Sequence, residues 1–344
     1  MHTSFITRRY TSVFLVLFIF ILSGCTKNPT GEKELTCTEL PIAYSAVTHM
    51  AYDKGFISEE GLDYKLISVP AGPDVVTALR SGGDKAADCG TIAITPVITM
   101  IGGGGHPVVL ATIMKSNQRV QLIAHLTSGI TEDPTTLKGK KLGYVARTVG
   151  EVYLSKLLEK GGLSEKDVTL INGKPADLKA LFLRGDIDAA ILWEPFVAQA
   201  VRESKNQEGE KGDMLGDPVV YVDPTLYTLR FNIVTTEEKL HEKREQILKF
   251  LRASIKAGYF IEENPKEARK LTEDWLKLGG SDLDGFFETT SFRVYLNVPE
   301  IKTAMNDELE WLRNRQPDTT VPKDLSPYVD ASLLKSIAPD RVKE

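Results

Sequence analysis

The side chains in this 344-residue chain best placed for chemistry stand where apolar runs give way to small or hydroxyl residues. Tyr44-Ser45 with Thr48 and His49 form one such place. Gly72-Pro73-Asp74, Gly90-Thr91 running to Pro96, Thr148-Val149-Gly150-Glu151 and Trp193-Glu194-Pro195 form the others. Each reads as a strand end followed by a helix start. A helix start carries unpaired N–H groups and about half a positive charge. Small and hydroxyl residues let a ligand approach that backbone, so several such starts aimed at one place would hold a small oxyanion without any basic side chain. Each residue read singly is equally a helix cap. Trp193 can stack on a ligand or pack in the core. Glu194 can accept from a ligand amine or amide, or cap its own helix. Its charge disfavours a bare anion and suits an amine-bearing or heteroaromatic ligand. Tyr44 and His49 flank the first start, and Arg119, after a strand, reads as a solvated loop charge.

Other chemistries lack their residues. The five histidines are scattered, and no HExxH, CxxC or GxSxG string occurs, which removes the common zinc, thiol-redox and serine-hydrolase signatures. No catalytic residue, metal or cofactor is expected. Gly102 to Gly105 resembles a phosphate loop, but it follows a helix, and no Lys-Ser/Thr comes after it. Lys and Arg total 42 against 47 Asp and Glu, a formal charge of −5, so no broad footprint for nucleic acid exists. Hydrophobic residues at 42% and charged residues at 26% are globular values, and the length suits about two domains.

These candidate residues must be positioned by alternating strands and helices. Strands are expected over Leu35–Leu40, Asp63–Val69, Ala86–Gly90, Val108–Ile113, Val120–Leu126, Leu142–Val145, Val168–Ile171, Asp188–Leu192, Val219–Val222 and Leu229–Thr235. Helices fall between most of them. This βαβα order implies an α/β fold with parallel sheets covered by helices. From Thr236 onward the chain reads as helical, with Thr235 and Glu238 at capping-box spacing. One apolar face then runs through Leu240, Ile247, Leu251 and Tyr259. Trp275 and Trp311 read as core anchors. A weak internal echo links Ala78-Leu79, Gly82 and Asp88 with Ala180-Leu181, Gly185 and Asp188.

The first residues read as an export signal. Arg8 and Arg9 precede the apolar run Val13–Leu22, which is too short to span a membrane comfortably. Leu22-Ser23-Gly24-Cys25 resembles a bacterial lipobox. That resemblance implies cleavage before Cys25, a lipid on Cys25, a linker over 25–33 and residence at a bacterial membrane facing the periplasm or cell exterior. Cys37 and Cys89 remain. An oxidising compartment permits their pairing, and two buried thiols are the alternative.

Further strings carry a family resemblance: Lys54-Gly55-Phe56 with Glu60-Gly61-Leu62-Asp63, Leu79 to Gly82, Ser128-Gly129-Ile130, Leu137 to Lys140, and Gly185 to Ala190. In this order the chain resembles the substrate-binding proteins of bacterial ABC importers for sulfonates, taurine, nitrate and thiamine-precursor pyrimidines. The resemblance implies a two-lobed periplasmic-binding-protein type II fold with two crossover hinges. It places lobe 1 at 34–123 plus 233–344, lobe 2 at 124–232, and the hinges near Ile123–Leu126 and Arg230–Val234. It implies a monomer that captures a small molecule and presents it to a permease and ATPase complex. Tyr44, Ser45, Thr48, His49, Gly72, Gly90, Thr91, Thr148, Val149, Trp193 and Glu194 are the expected ligand contacts. A sensor without transport, or a pyrimidine-forming synthase, are the alternatives.

Overall fold

A computed structural model of the chain describes residues 34–83, 86–205, 216–279, 282–319 and 321–344. Cys25, the apolar run before it and the linker lie outside the described residues.

Two five-stranded sheets organise the chain. The first holds β1 (Leu35–Glu39), β2 (Tyr64–Ser68), β3 (Cys89–Ala93), β4 (Pro107–Ser116) and β10 (Leu229–Thr236) in the order β2-β1-β3-β10-β4. The second holds β5 (Gln121–His125), β6 (Lys141–Tyr144), β7 (Thr169–Asn172), β8 (Ala189–Leu192) and β9 (Pro218–Tyr221) in the order β7-β6-β8-β5-β9. Within each sheet three strands run parallel, β2-β1-β3 and β7-β6-β8. An antiparallel strand then lies beside the third: β10 beside β3, and β5 beside β8. Both β3 and β8 are buried along their whole length, as parallel strands covered on two faces must be.

The helices are α1 (Ala46–Asp53), α2 (Phe56–Glu59), α3 (Gly72–Arg80), α4 (Ile94–Gly102), α5 (Val149–Lys160), α6 (Pro175–Arg184) and α7 (Phe196–Lys205). After β10 come Glu237–Glu242, Arg244–Glu263, Pro265–Leu276, Val298–Arg315 and Ser332–Ile337.

The chain passes from the first sheet to the second between Ser116 and Gln121, and returns between Tyr221 and Leu229. The segments expected to cross, Ile123–Leu126 and Arg230–Val234, fall largely in strands: β5 pairs with β8 and β9, and β10 with β3 and β4. An apolar run looks the same in sequence whether it pairs or crosses, and only its partners separate the two.

The internal echo has a structural counterpart. Asp88, just before β3, accepts from the Thr36 amide at 2.9 Å, and Asp188, just before β8, accepts from the Lys141 amide at 2.7 Å. The two carboxylates hold matching positions beside the first strand of each parallel trio.

The helical region departs from expectation at its start. Thr235 stays in β10 and its hydroxyl donates to the Asp88 carbonyl at 2.6 Å. The cap is Thr236, which accepts from the Lys239 amide at 3.2 Å. Lys243 has left helical geometry (φ −123°, ψ 25°) and divides the expected single helix in two. Trp275 and Trp311 are half-buried rather than central. Trp275 stacks on His49, and Trp311 lies under the Arg315 guanidinium.

Cys37 and Cys89 sit opposite each other in β1 and β3, with Cα atoms 4.5 Å apart, and are joined by a disulfide. Both are fully enclosed, so the bond ties two central strands rather than a surface loop.

Candidate functional site

The carboxyl ends of parallel strands, where helices start, are where an open α/β sheet leaves a crevice. Such ends from both sheets meet here around a small cavity of ≈ 30 Å³, room for about one water. Leu40, Ile42 and Tyr44 reach it from the segment after β1. Gly72 comes from the start of α3, and Ala93 and Pro96 from the β3–α4 junction. The second sheet supplies Thr148 and Val149 at the start of α5 and Trp193 after β8, while Leu229 and Phe231 of β10 close the floor. The wall is almost wholly apolar.

Of the expected contacts, Tyr44, Gly72, Thr148, Val149 and Trp193 come together here. Tyr44 is held from behind. Its hydroxyl donates to the Arg119 carbonyl at 2.5 Å, and its ring stacks on Phe286 at 5.8 Å and meets Phe231 edge-on at 5.9 Å. Burial drives its pKa well above the ordinary tyrosine value, so it stays a neutral donor. The Trp193 ring is 4% exposed and its indole N–H meets no acceptor. A buried donor left unpaired costs about 1–3 kcal/mol, so an acceptor placed there would be favoured. Thr148 spends its hydroxyl on the start of α5 and the turn before it, accepting from the Gly150 amide at 3.2 Å and donating to the Val145 carbonyl at 2.8 Å.

The other expected contacts are engaged elsewhere. Ser45 and Thr91 face each other at 3.4 Å inside the first half. Thr48 and His49 both bind the buried Glu39 carboxylate at 3.1 Å, and His49 stacks on Trp275 with ring centroids 3.6 Å apart. Gly90 serves packing: a Cβ there would overlap the Thr38 hydroxyl and lie 2.6 Å from Val75 Cγ1. Gly72 has a comparable reason, since its Cβ would lie 2.6 Å from Pro96 Cγ. Glu194 takes the capping role. Its Oε2 accepts from the Ala198 amide at 3.0 Å at the start of α7, and burial lifts its pKa to about 7.

Arg119 overturns its reading as a solvated charge. It is 8% exposed, donates to the Gly285 carbonyl at 2.7 Å and to Thr290 Oγ1 at 3.2 Å, and stands 4.7 Å over the Phe286 ring. It thus pins the first crossing to the segment 285–290, the segment that supports Tyr44. Periodicity marks Phe231, Leu229 and Ala93 as buried, but the void they face depends on both sheets.

The halves also meet outside the cavity. Arg315, ending the helix Val298–Arg315, reaches Glu151 at 3.0 Å and Ser155 at 3.2 Å on α5, and also pairs with Glu165. Arg202 of α7 pairs with the buried Asp282. Among the described residues no three His, Cys, Asp or Glu side chains converge to hold a metal ion.

This arrangement, two sheets each with an antiparallel strand borrowed across a double crossing, is the periplasmic binding protein fold. The alkanesulfonate-binding protein of Xanthomonas axonopodis pv. citri, solved with MOPS bound, superposes with a TM-score of 0.71 at 16% identity, covering 87% of this chain and 99% of that one. The chain belongs to the NMT1/THI5-like family, whose profile matches residues 43–268. Two relatives show its breadth. A putative aliphatic sulfonates-binding protein of Bacillus subtilis is 25% identical over 331 residues, covering 94% of this chain and 95% of the relative. A 4-amino-5-hydroxymethyl-2-methylpyrimidine phosphate synthase of Saccharomyces cerevisiae is 26% identical over 246 residues, 71% of each chain.

Proposed function

We infer that this chain is a solute-binding protein of an ABC importer, which captures a small organic anion or heterocycle between two hinged lobes without altering it. The carrying observation is the cavity at the strand ends of both sheets, walled by Tyr44 from one and Trp193 from the other. The lobes are 34–116 with 229–344, and 121–221, joined by the two crossings. Closure buries the solute, and its higher affinity for the closed form shifts the population toward that form. The closed form presents both lobes to a permease. The sulfonate-binding name of the Bacillus relative, which matches along nearly the whole chain, supports this reading. The N-terminal sequence supports export and a lipid on Cys25 at a bacterial membrane. No described helix is long and apolar enough to cross a membrane.

A thermal-shift screen against sulfonates, taurine, nitrate and pyrimidines tests the reading. A solute at 100 times its dissociation constant adds about 2.7 kcal/mol. Small-angle scattering of the stabilised sample must then show a smaller radius of gyration. Stabilisation without compaction would remove the hinge. The name of the yeast relative raises a second reading, a pyrimidine-forming enzyme. The cavity wall offers no nucleophile beside a base, and the export signal favours capture. New product formed by purified protein from a stabilising pyrimidine would favour the enzyme.

A further inference from the structure

A second, larger cavity of ≈ 720 Å³ adjoins the aromatic one. Pro96 stands in both walls, and Pro73 and Arg147 of the larger are chain neighbours of Gly72 and Thr148 of the smaller. Two guanidiniums face this space from opposite halves, Arg80 at the end of α3 and Arg147 just before α5, against one carboxylate, Asp74. Arg80 donates to the Gly103 carbonyl at 3.3 Å. The Arg147 backbone is left-handed (φ 60°), its backbone N–H is taken by Glu151 at 2.6 Å, and its exposed side chain lines the groove. Neither arginine pairs with a carboxylate among the described residues.

The aromatic cavity is a poor place for a full negative charge. No basic side chain lines it. Pro73 and Pro96 remove N–H donors from the first turns of α3 and α4. Thr148 already caps α5, and the first turns of α3 and α5 carry Asp74 and Glu151. The unpaired donor of a residue in its wall is the neutral Trp193 indole N–H.

We propose that the larger cavity is the anion end of the ligand site. The solute then sits over the mouth of the small aromatic cavity with an acceptor turned toward Trp193 and Tyr44, and extends an oxyanion arm, of sulfonate or carboxylate type, to Arg147 and Arg80. This rests on the capture reading above and adds the direction in which the solute lies. It also supplies a closing force. Like charges on the two halves oppose closure of an empty cleft, and an anion between them turns that repulsion into attraction.

The purified chain is titrated with 3-(pyridin-3-yl)propanesulfonate, whose ring nitrogen is an acceptor, and with its uncharged sulfonamide, reading tryptophan fluorescence and compaction by small-angle scattering. The sulfonate binds about tenfold or more tighter, the worth of a charge-assisted contact, and the gap narrows as salt rises. Arg147→Gln abolishes the preference, Arg80→Gln reduces it, and Arg147→Lys retains part of it. A preference that survives both glutamine variants, or equal affinity of the two probes, with compaction still seen, overturns the anion end and leaves capture standing. If neither probe nor any solute of the thermal screen compacts the chain, both readings fall.

Discussion

Single side chains here are pulled between helix capping and ligand contact, and burial decides the outcome. The Trp193 side chain lines the cavity and its buried N–H is unpaired, so replacing it tests a ligand role. Trp193→Phe keeps most of the apolar bulk and loses the donor. It should bind the solute about tenfold more weakly, by titration calorimetry, with little change in melting temperature. A fall in stability matched by unchanged affinity would make Trp193 a packing residue. Glu194 is a capping carboxylate whose burial raises its pKa to about 7 from 4.5. Below the unfolded value both states are protonated. As pH rises from about 4.5 to 7 the unfolded chain loses this proton first, so stability falls across that window and levels off above it. The buried Glu308, also raised to about 7, acts in the same direction. The Glu194→Gln variant should therefore flatten the melting-temperature profile between these values. An unchanged slope would mean that Glu194 titrates as if exposed.

Elements act through the ties between them. Arg315 joins the C-terminal helical region to Glu151 and Ser155 of α5 and to Glu165 just beyond it. Such partly exposed pairs are worth about 0.2–1 kcal/mol each. Arg315→Ala should speed solute dissociation by about two- to tenfold, most visibly at low salt in stopped-flow traces, and leave the melting point of the ligand-free chain nearly unchanged. An unaltered off-rate would show that the pairs form without holding the lobes together. Within the first sheet, the Cys37–Cys89 bond closes a loop of sequence separation 52 between β1 and β3. A disulfide of this span contributes about 4 kcal/mol by restricting the unfolded chain. Reduction before a urea titration should lower the midpoint accordingly. An equal midpoint for oxidised and reduced protein would mean the unfolded chain gains nothing from the lost constraint.

At the scale of the whole molecule, two similar sheets are joined by two short crossings, with the cavity opposite their strand ends. The paired Asp88–Thr36 and Asp188–Lys141 bonds show that the halves repeat in detail as well as in outline. The alternation of apolar runs with helix starts already implied this α/β order, because parallel strands covered on both faces need continuous apolar residues. Trp193 and Thr148 were legible as candidates because they stand at a strand end and a helix start, and the structure places both on the wall of the cavity. For Glu194, capping was one of the two roles its position offered, and the structure shows that bond. Other matters were closed to one-dimensional reading. Whether Val120–Leu126 crosses or pairs depends on β8 and β9. Whether Ser45 and Thr48 face a ligand or Thr91 and Glu39 depends on how α1 is rotated over its sheet. Arg119 looked solvated because the segment that buries it lies far along the chain. Local periodicity and strand-end chemistry are properties of neighbouring residues, so the element order and the family likeness were determined by the sequence alone. The site's composition, the Cys37–Cys89 bond and the opposed Arg80 and Arg147 required the tertiary structure, because each brings together groups far apart in the chain, and only packing sets which of them share a void.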